Sequence, residues 1–137
     1  MGSPTSRTLA TLRKMGARAQ VVEKFIVRVK QRVDLFGFID IVAMSEHIVE
    51  GSFGIIGIQA CAASSHANRR TKIIKTPEAV TWLKLGGKIQ LWSWGKKGAR
   101  GKRKVWTPRI ETIKLSDIWQ ESEVKRPRVV RSRGARS

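Results

Sequence analysis

The chain has one cysteine, two histidines, four prolines and only ten acidic residues among its 137, and no long uninterrupted apolar run. Each scarcity excludes something. Cys61 alone can form no intrachain disulfide framework, and it cannot build a cysteine-rich zinc finger or ribbon. His47 and His66 are too few and too widely separated to indicate a zinc site, and each is expected at the surface. No apolar stretch approaches the ~20 residues of a membrane span, and the N-terminus lacks the apolar block of a signal peptide. A cytoplasmic protein is therefore expected. No internal repeat, lipidation signal or strongly amphipathic basic helix is visible, and Met1-Gly2-Ser3 has the look of a cloning remnant.

What is abundant is positive charge. Against the ten acids stand 28 Lys and Arg, a net charge of +18 with a sequence pI near 11.5. Solubility does not require such a field; a polyanionic partner does, and nucleic acid is favoured over an acidic membrane because the cations are spread along the chain. The length allows one domain with a single core, which 41% hydrophobic residues can fill.

Ser3-Pro4 reads as a helix entry, with Leu9, Leu12 and Met15 at helical spacing and a stop at Gly16. From Ala19 to Val29 the apolar period becomes two, as in a strand, with Glu23 on the more apolar parity. Gly37 to Met44 is apolar on both parities, as in a central strand covered on both faces, and Asp40 is its only charge. An acid there is costly to desolvate, and a metal ion is the usual means of offsetting that cost. Ser45 to Ser52 is a polar connection to a second apolar run, Phe53 to Ala60. If the two runs pair about residue 49 or 50, Asp40 lies directly across from Gln59.

Ser64 or Ser65 then caps a short basic turn with Arg69, Arg70 and Lys72. Thr76-Pro77-Glu78 starts a helix that Leu85-Gly86-Gly87 stops, with Val80, Leu83 and Trp82 packing on the sheet. Lys88 to Trp94 is a strand. The glycine-rich stretch after it, with Lys96, Lys97, Arg100, Lys102, Arg103 and Lys104 between Trp94 and Trp106, is a cationic loop suited to a phosphate backbone, and the tryptophans could stack on unpaired bases. Val105 to Ile113 is the returning strand, Leu115 to Trp119 a closing turn. Residues 124–137, basic and aperiodic, are expected to be a disordered tail.

The order helix, three strands, helix, strand, with an acid on the second strand and a polar residue near the end of the third, resembles the core of the PD-(D/E)XK nuclease superfamily, which includes restriction enzymes and Holliday junction resolvases. Val22-Glu23, the stretch from Asp34 to Asp40, Gly57-Ile58-Gln59, Trp82-Leu83 before Gly86-Gly87, and Trp92-Ser93-Trp94 are similar to a small nuclease-like family common in phage and bacterial genomes. The resemblance runs from about Thr8 to about Asp117. It implies an α/β fold over 1–123, with a restriction-endonuclease-like αβββαβ core, a mixed central sheet flanked by helices and an extra C-terminal strand. It further implies a Mg²⁺-dependent endonuclease, with Mn²⁺ as a substitute, that hydrolyses DNA at branched or junction structures, RNA remaining open as a partner. A homodimer and the host cytoplasm of a phage-encoded protein go with it.

In that superfamily the strand-two Asp and a strand-three acid hold the metal, and a Lys two residues further on acts on the attacking water. Asp40 matches the first position and Asp34 is its reserve. Gln59 stands in place of the second acid and Cys61 in place of the lysine. Glu23 could restore the missing carboxylate, and Arg69, Arg70 or Lys72, ahead of the cationic loop, the missing cation; Arg70 is also expected to contact nucleic acid, with the loop cations and Trp94. The same departures also fit a decayed nuclease fold that only binds DNA or RNA.

Overall fold

The structure, a computed structural model, describes residues 2–119; the basic tail expected over 124–137 lies outside them. Helix α1 (Pro4–Lys14) begins as its sequence implies. The Ser3 hydroxyl accepts the Ser6 N–H at 3.0 Å, and the Ser6 hydroxyl accepts the Ser3 N–H at 3.2 Å, so two otherwise orphaned donors are satisfied reciprocally. Pro4 costs nothing at the first helical position.

Five strands form the main sheet, in the order β1 (Arg18–Val21), β4 (Ile41–Val49), β5 (Ser52–Ala62), β6 (Lys88–Lys97), β7 (Val105–Ile113). All neighbours are antiparallel except β5 and β6, which are parallel and joined by α2 (His66–Lys75) and α3 (Pro77–Lys84). A parallel pair needs such a crossover, and here the helices supply it. The result is a mixed α/β architecture with helices on both faces of a mixed sheet. Leu12 of α1 packs with Ile41, Ala43, Ile56, Ile58 and Trp92 on one face. Ile73, Ile74 and Ala79 of α2 and α3 pack with Phe38, Ile39, Ile89 and Leu91 on the other. Among the described residues no helix is long and apolar enough to cross a membrane.

Three expectations need correction. The strand read from Ala19 to Val29 divides after Val21: β2 (Lys24–Ile26) leaves the main sheet and pairs with β3 (Gln31–Val33) in a separate hairpin. A period of two is the same whichever sheet a strand joins, so periodicity could not place the break. The central strand read from Gly37 begins only at Ile41. Residues 34–40 instead close a tight loop in which Leu35 and Ile39 exchange backbone hydrogen bonds at 2.9 and 3.0 Å, with Phe36 and Gly37 at φ 55° and 83°; Gly37 adopts this conformation without steric cost. The basic turn around Arg69 is a ten-residue helix, α2.

The strand pairing itself agrees with expectation. Ile41 opposes Ile58, and Ser45 opposes Gly54, which sets Asp40 across from Gln59. The connection is narrower than the sequence implied: the strands run on to Val49 and Ser52, and only Glu50 and Gly51, at φ 50° and 87°, make the turn. Those angles suit the right-handed twist of the flanking strands.

Candidate active site

The alternation of side chains along β5 sends Ile56 and Ile58 toward α1, and Gln59 and Cys61 toward α2. Asp40, just before β4, shares the α2 face. Its Oδ2 accepts the Gln59 Nε2–H at 2.8 Å and the Ala60 backbone N–H at 2.9 Å. The curled loop of residues 34–40 then brings a second acid to the same amide, because Gln59 Nε2 lies 3.3 Å from Asp34 Oδ2. Lys72, from the second turn of α2, reaches Asp34 Oδ2 at 3.1 Å. Glu23, at the point where the chain leaves the sheet, pairs with Arg32 at 2.8 Å.

Carboxylate oxygens of Glu23, Asp34 and Asp40 lie within 4.8 Å of one another. They line an open cleft of about 950 Å³, together with Gln59, Cys61, Arg69, Lys72 and the first turn of α1. All six residues expected to be catalytic, Asp40, Gln59, Glu23, Asp34, Arg69 and Lys72, therefore meet at one place.

Their electrostatics follow from burial and crowding. Asp40 is only 4% exposed, and that burial, with the Asp34 carboxylate beside it, pushes its pKa up to about 8. Burial also opposes the charge on Asp34, but the hydrogen bond from Asp40, with Lys72 and Gln59, outweighs it and holds Asp34 below the ordinary carboxylate value. Two adjacent carboxylates cannot both ionise cheaply, so the pair holds one proton between them at neutral pH. Burial pushes the Cys61 thiol up, with Arg69 only partly offsetting it. Cys61 is thus a small buried filler and not a thiolate nucleophile.

The donor set fits a hard divalent cation. At bond lengths near 2.1 Å an octahedral Mg²⁺ sets its ligand oxygens about 3.0 to 4.2 Å apart, so the three carboxylates need only close in slightly. Gln59 is 1% exposed and its Oε1 has no hydrogen-bond partner. Exchanging the two ends of the amide leaves its shape unchanged, and it turns that orphaned oxygen toward Asp34 and Asp40. A cation between them would make that arrangement favourable.

Other expected residues lie elsewhere. Trp94 is 6% exposed and its indole N–H donates to Thr8 Oγ1 at 2.8 Å, so it has no free face on which a base could stack. Arg70 does not face the cleft; it is bound to Glu111 at 2.7 Å and lies 3.8 Å from Asp117. Lys96 and Lys97 end β6, while Arg100, Lys102, Arg103 and Lys104 are exposed in the β6–β7 turn.

His66, expected at the surface, is 4% exposed. Its Nδ1 is 2.7 Å from Ser93 Oγ and its Nε2 is 2.8 Å from Glu111. Hydrogen bonds from Arg70 and His66 overcome burial and hold Glu111 below the ordinary carboxylate value. Ser93 is itself buried and outside the cleft, so this row of bonds anchors α2 to β6 and β7. The one signal in the sequence was the spacing of His66 and Arg70, four residues apart on one helix face.

Comparison with protein-family models, with curated proteins and with solved structures finds no match to this chain.

Proposed function

We propose that the protein is a metal-dependent endonuclease that hydrolyses DNA phosphodiester bonds. The observation that carries this reading is the convergence of Glu23, Asp34 and Asp40 on one cleft beside a buried amide with an unpartnered oxygen, in a chain of net charge +18. The order α1, antiparallel β1, β4 and β5, the α2–α3 crossover, and parallel β6 supports the likeness to a PD-(D/E)XK core, with β2–β3 as an insertion and β7 as the extra strand.

Glu23, Asp34, Asp40 and Gln59 would hold the ion, which supplies Lewis-acid stabilisation of the charge that develops on a phosphoryl group. The chain's own groups do the rest. Lys72 neutralises Asp34 in the free protein, and with Arg69 it lines the cleft that a phosphate would enter. The Asp34–Asp40 pair takes up or gives up a proton near neutral pH. The Ala60 N–H fixes the Asp40 carboxylate, and in the free protein Gln59 holds the same oxygen until its amide turns over.

Purified protein with Mg²⁺ or Mn²⁺ should cut at least one of linear duplex, single-stranded or four-way-junction DNA. Chelation should abolish the activity, and Asp40→Asn should lower it roughly 100-fold or more. If all three substrates survive in both metals across neutral and alkaline pH, the enzyme reading is wrong.

A second reading, a nuclease-like fold that only binds DNA or RNA, is favoured by one observation: Gln59 presents its Nε2, not its oxygen, to the two acids. It requires salt-sensitive binding that metal does not change, and no cleavage by the wild type.

A further inference from the structure

We propose that Trp106, backed by Arg7 and Lys96, is a stacking platform for an unpaired base of a single-stranded DNA segment held next to the acidic cleft. The proposal rests on the DNA-directed reading above and narrows it to a substrate class.

Trp94 and Trp106 have the same parity on neighbouring strands, and the structure separates their roles. Trp94 opposes Pro108 and lies under α1; Lys96 opposes Trp106 two residues further out, on the same face. There the helix no longer covers the sheet. Trp106 is 43% exposed, the Arg7 guanidinium carbon sits 3.6 Å above its ring, and Lys96 Nζ is 5.3 Å from the ring centroid. Part of the Trp106 indole stays exposed beside these cations, where a base can meet it and its phosphate can meet the charge.

The surroundings carry no compensating negative charge. No acidic residue precedes Glu23, and none occurs from Lys88 to Ile110. Among the described residues, no ion pair involves Arg7, Lys96, Lys97 or the cations of the β6–β7 turn. Arg7 and Lys96 lie against the Trp106 ring, and Lys96, Lys97 and the turn cations are exposed to water, the arrangement expected of a phosphate track.

The platform is on the α1 face of the sheet and the acids are on the α2 face, but both lie at the same end of it, where a strand can pass around the ends of β5 and β6. Gln59 is level with Leu91, and Ala62 with Trp94, in the parallel β5–β6 pair. Lys96 is five residues beyond Leu91, a separation on the order of 17 Å at strand rise. The first turn of α1 bridges the interval, since Ser3 to Ser6 line the cleft and Arg7 touches Trp106. One strand could span both.

The test is anisotropy of a labelled oligothymidine of about 15 nucleotides, measured in EDTA against a blunt duplex of equal length. Trp106→Ala should weaken binding of the single strand about tenfold and of the duplex less than about twofold, while Trp106→Phe retains most of the single-strand affinity. A single-strand loss below about threefold, an equal loss on the duplex, or a Phe variant as weak as Ala overturns the proposal. Photocrosslinking of the wild type to an oligonucleotide carrying 5-iodouracil needs no variant to fold: adducts on Trp106 support the platform, and adducts confined to other residues overturn it. Because both measurements exclude metal, a working platform without metal-dependent cleavage removes the nuclease reading alone, and cleavage that is indifferent to Trp106 removes the platform alone.

Discussion

Asp40 is held by two donors and faces a second carboxylate, so its charge is expensive until a cation arrives. The sign of its effect on stability is set by a folded-state pKa raised from the ordinary carboxylate value to about 8. The stability that the proton confers is complete below the unfolded value and is lost as pH rises through the folded one. Asp40→Asn keeps the acceptor for Ala60 and never ionises. In metal-free protein it should therefore match the wild type in acid and exceed it above pH ~8 by on the order of 1–2 kcal/mol, a gap readable in thermal melts at several pH values. A wild type that remains as stable as the variant in alkali would show that Asp40 carries no such burden.

At the scale of elements, α2 does two jobs with two faces. His66 and Arg70 bind it to Glu111 on β7 and to Ser93 on β6, while Arg69 and Lys72 line the cleft. The first face sets the position of the second. His66→Ala would leave the buried Ser93 hydroxyl and a Glu111 oxygen without a partner, which should lower stability by about 1–3 kcal/mol in denaturant unfolding. Glu111 has a depressed pKa, so its contribution is present above the ordinary carboxylate value and disappears as pH falls through the folded one. Glu111→Gln should flatten the loss of stability in acid; a variant that follows the wild-type acid curve would mean that the anchor is not electrostatic. None of this row was legible beforehand, because a lone histidine says nothing about which strand residue will lie above it. The limits of α1 and α3 were legible, since caps, a first-turn proline and terminal glycines act within a few residues.

For the molecule as a whole the dominant quantity is its charge. The +18 balance is not neutralised internally: the Lys and Arg side chains that pair with carboxylates among the described residues are Arg32, Arg70 and Lys72. Association with DNA should accordingly fall steeply with salt, with a log–log slope of magnitude about 5 or more, because each phosphate contact releases a counterion. A binding constant indifferent to salt would mean that the cationic surface is not the contact. Within this field the cleft gathers Glu23, Asp34 and Asp40 from separated positions in the chain, with Arg32, Arg69 and Lys72 beside them.

Some of this was determined by the sequence alone. Parity put Asp40 and Gln59 on one face, and composition fixed the net charge of +18, because alternation and charge are local or additive properties; the exact pairing rests on a register shift between Ser45 and Val49, without which the Glu50–Gly51 turn would set Asp40 across from Cys61. The tertiary structure decided what these residues meet. It curled residues 34–40 so that Asp34 joined Asp40, carried Lys72 over from α2 to Asp34, and covered Trp94 while leaving Trp106 open. Periodicity says that a strand has two faces; which face is covered, and by which helix, is settled only by packing between segments far apart in the chain.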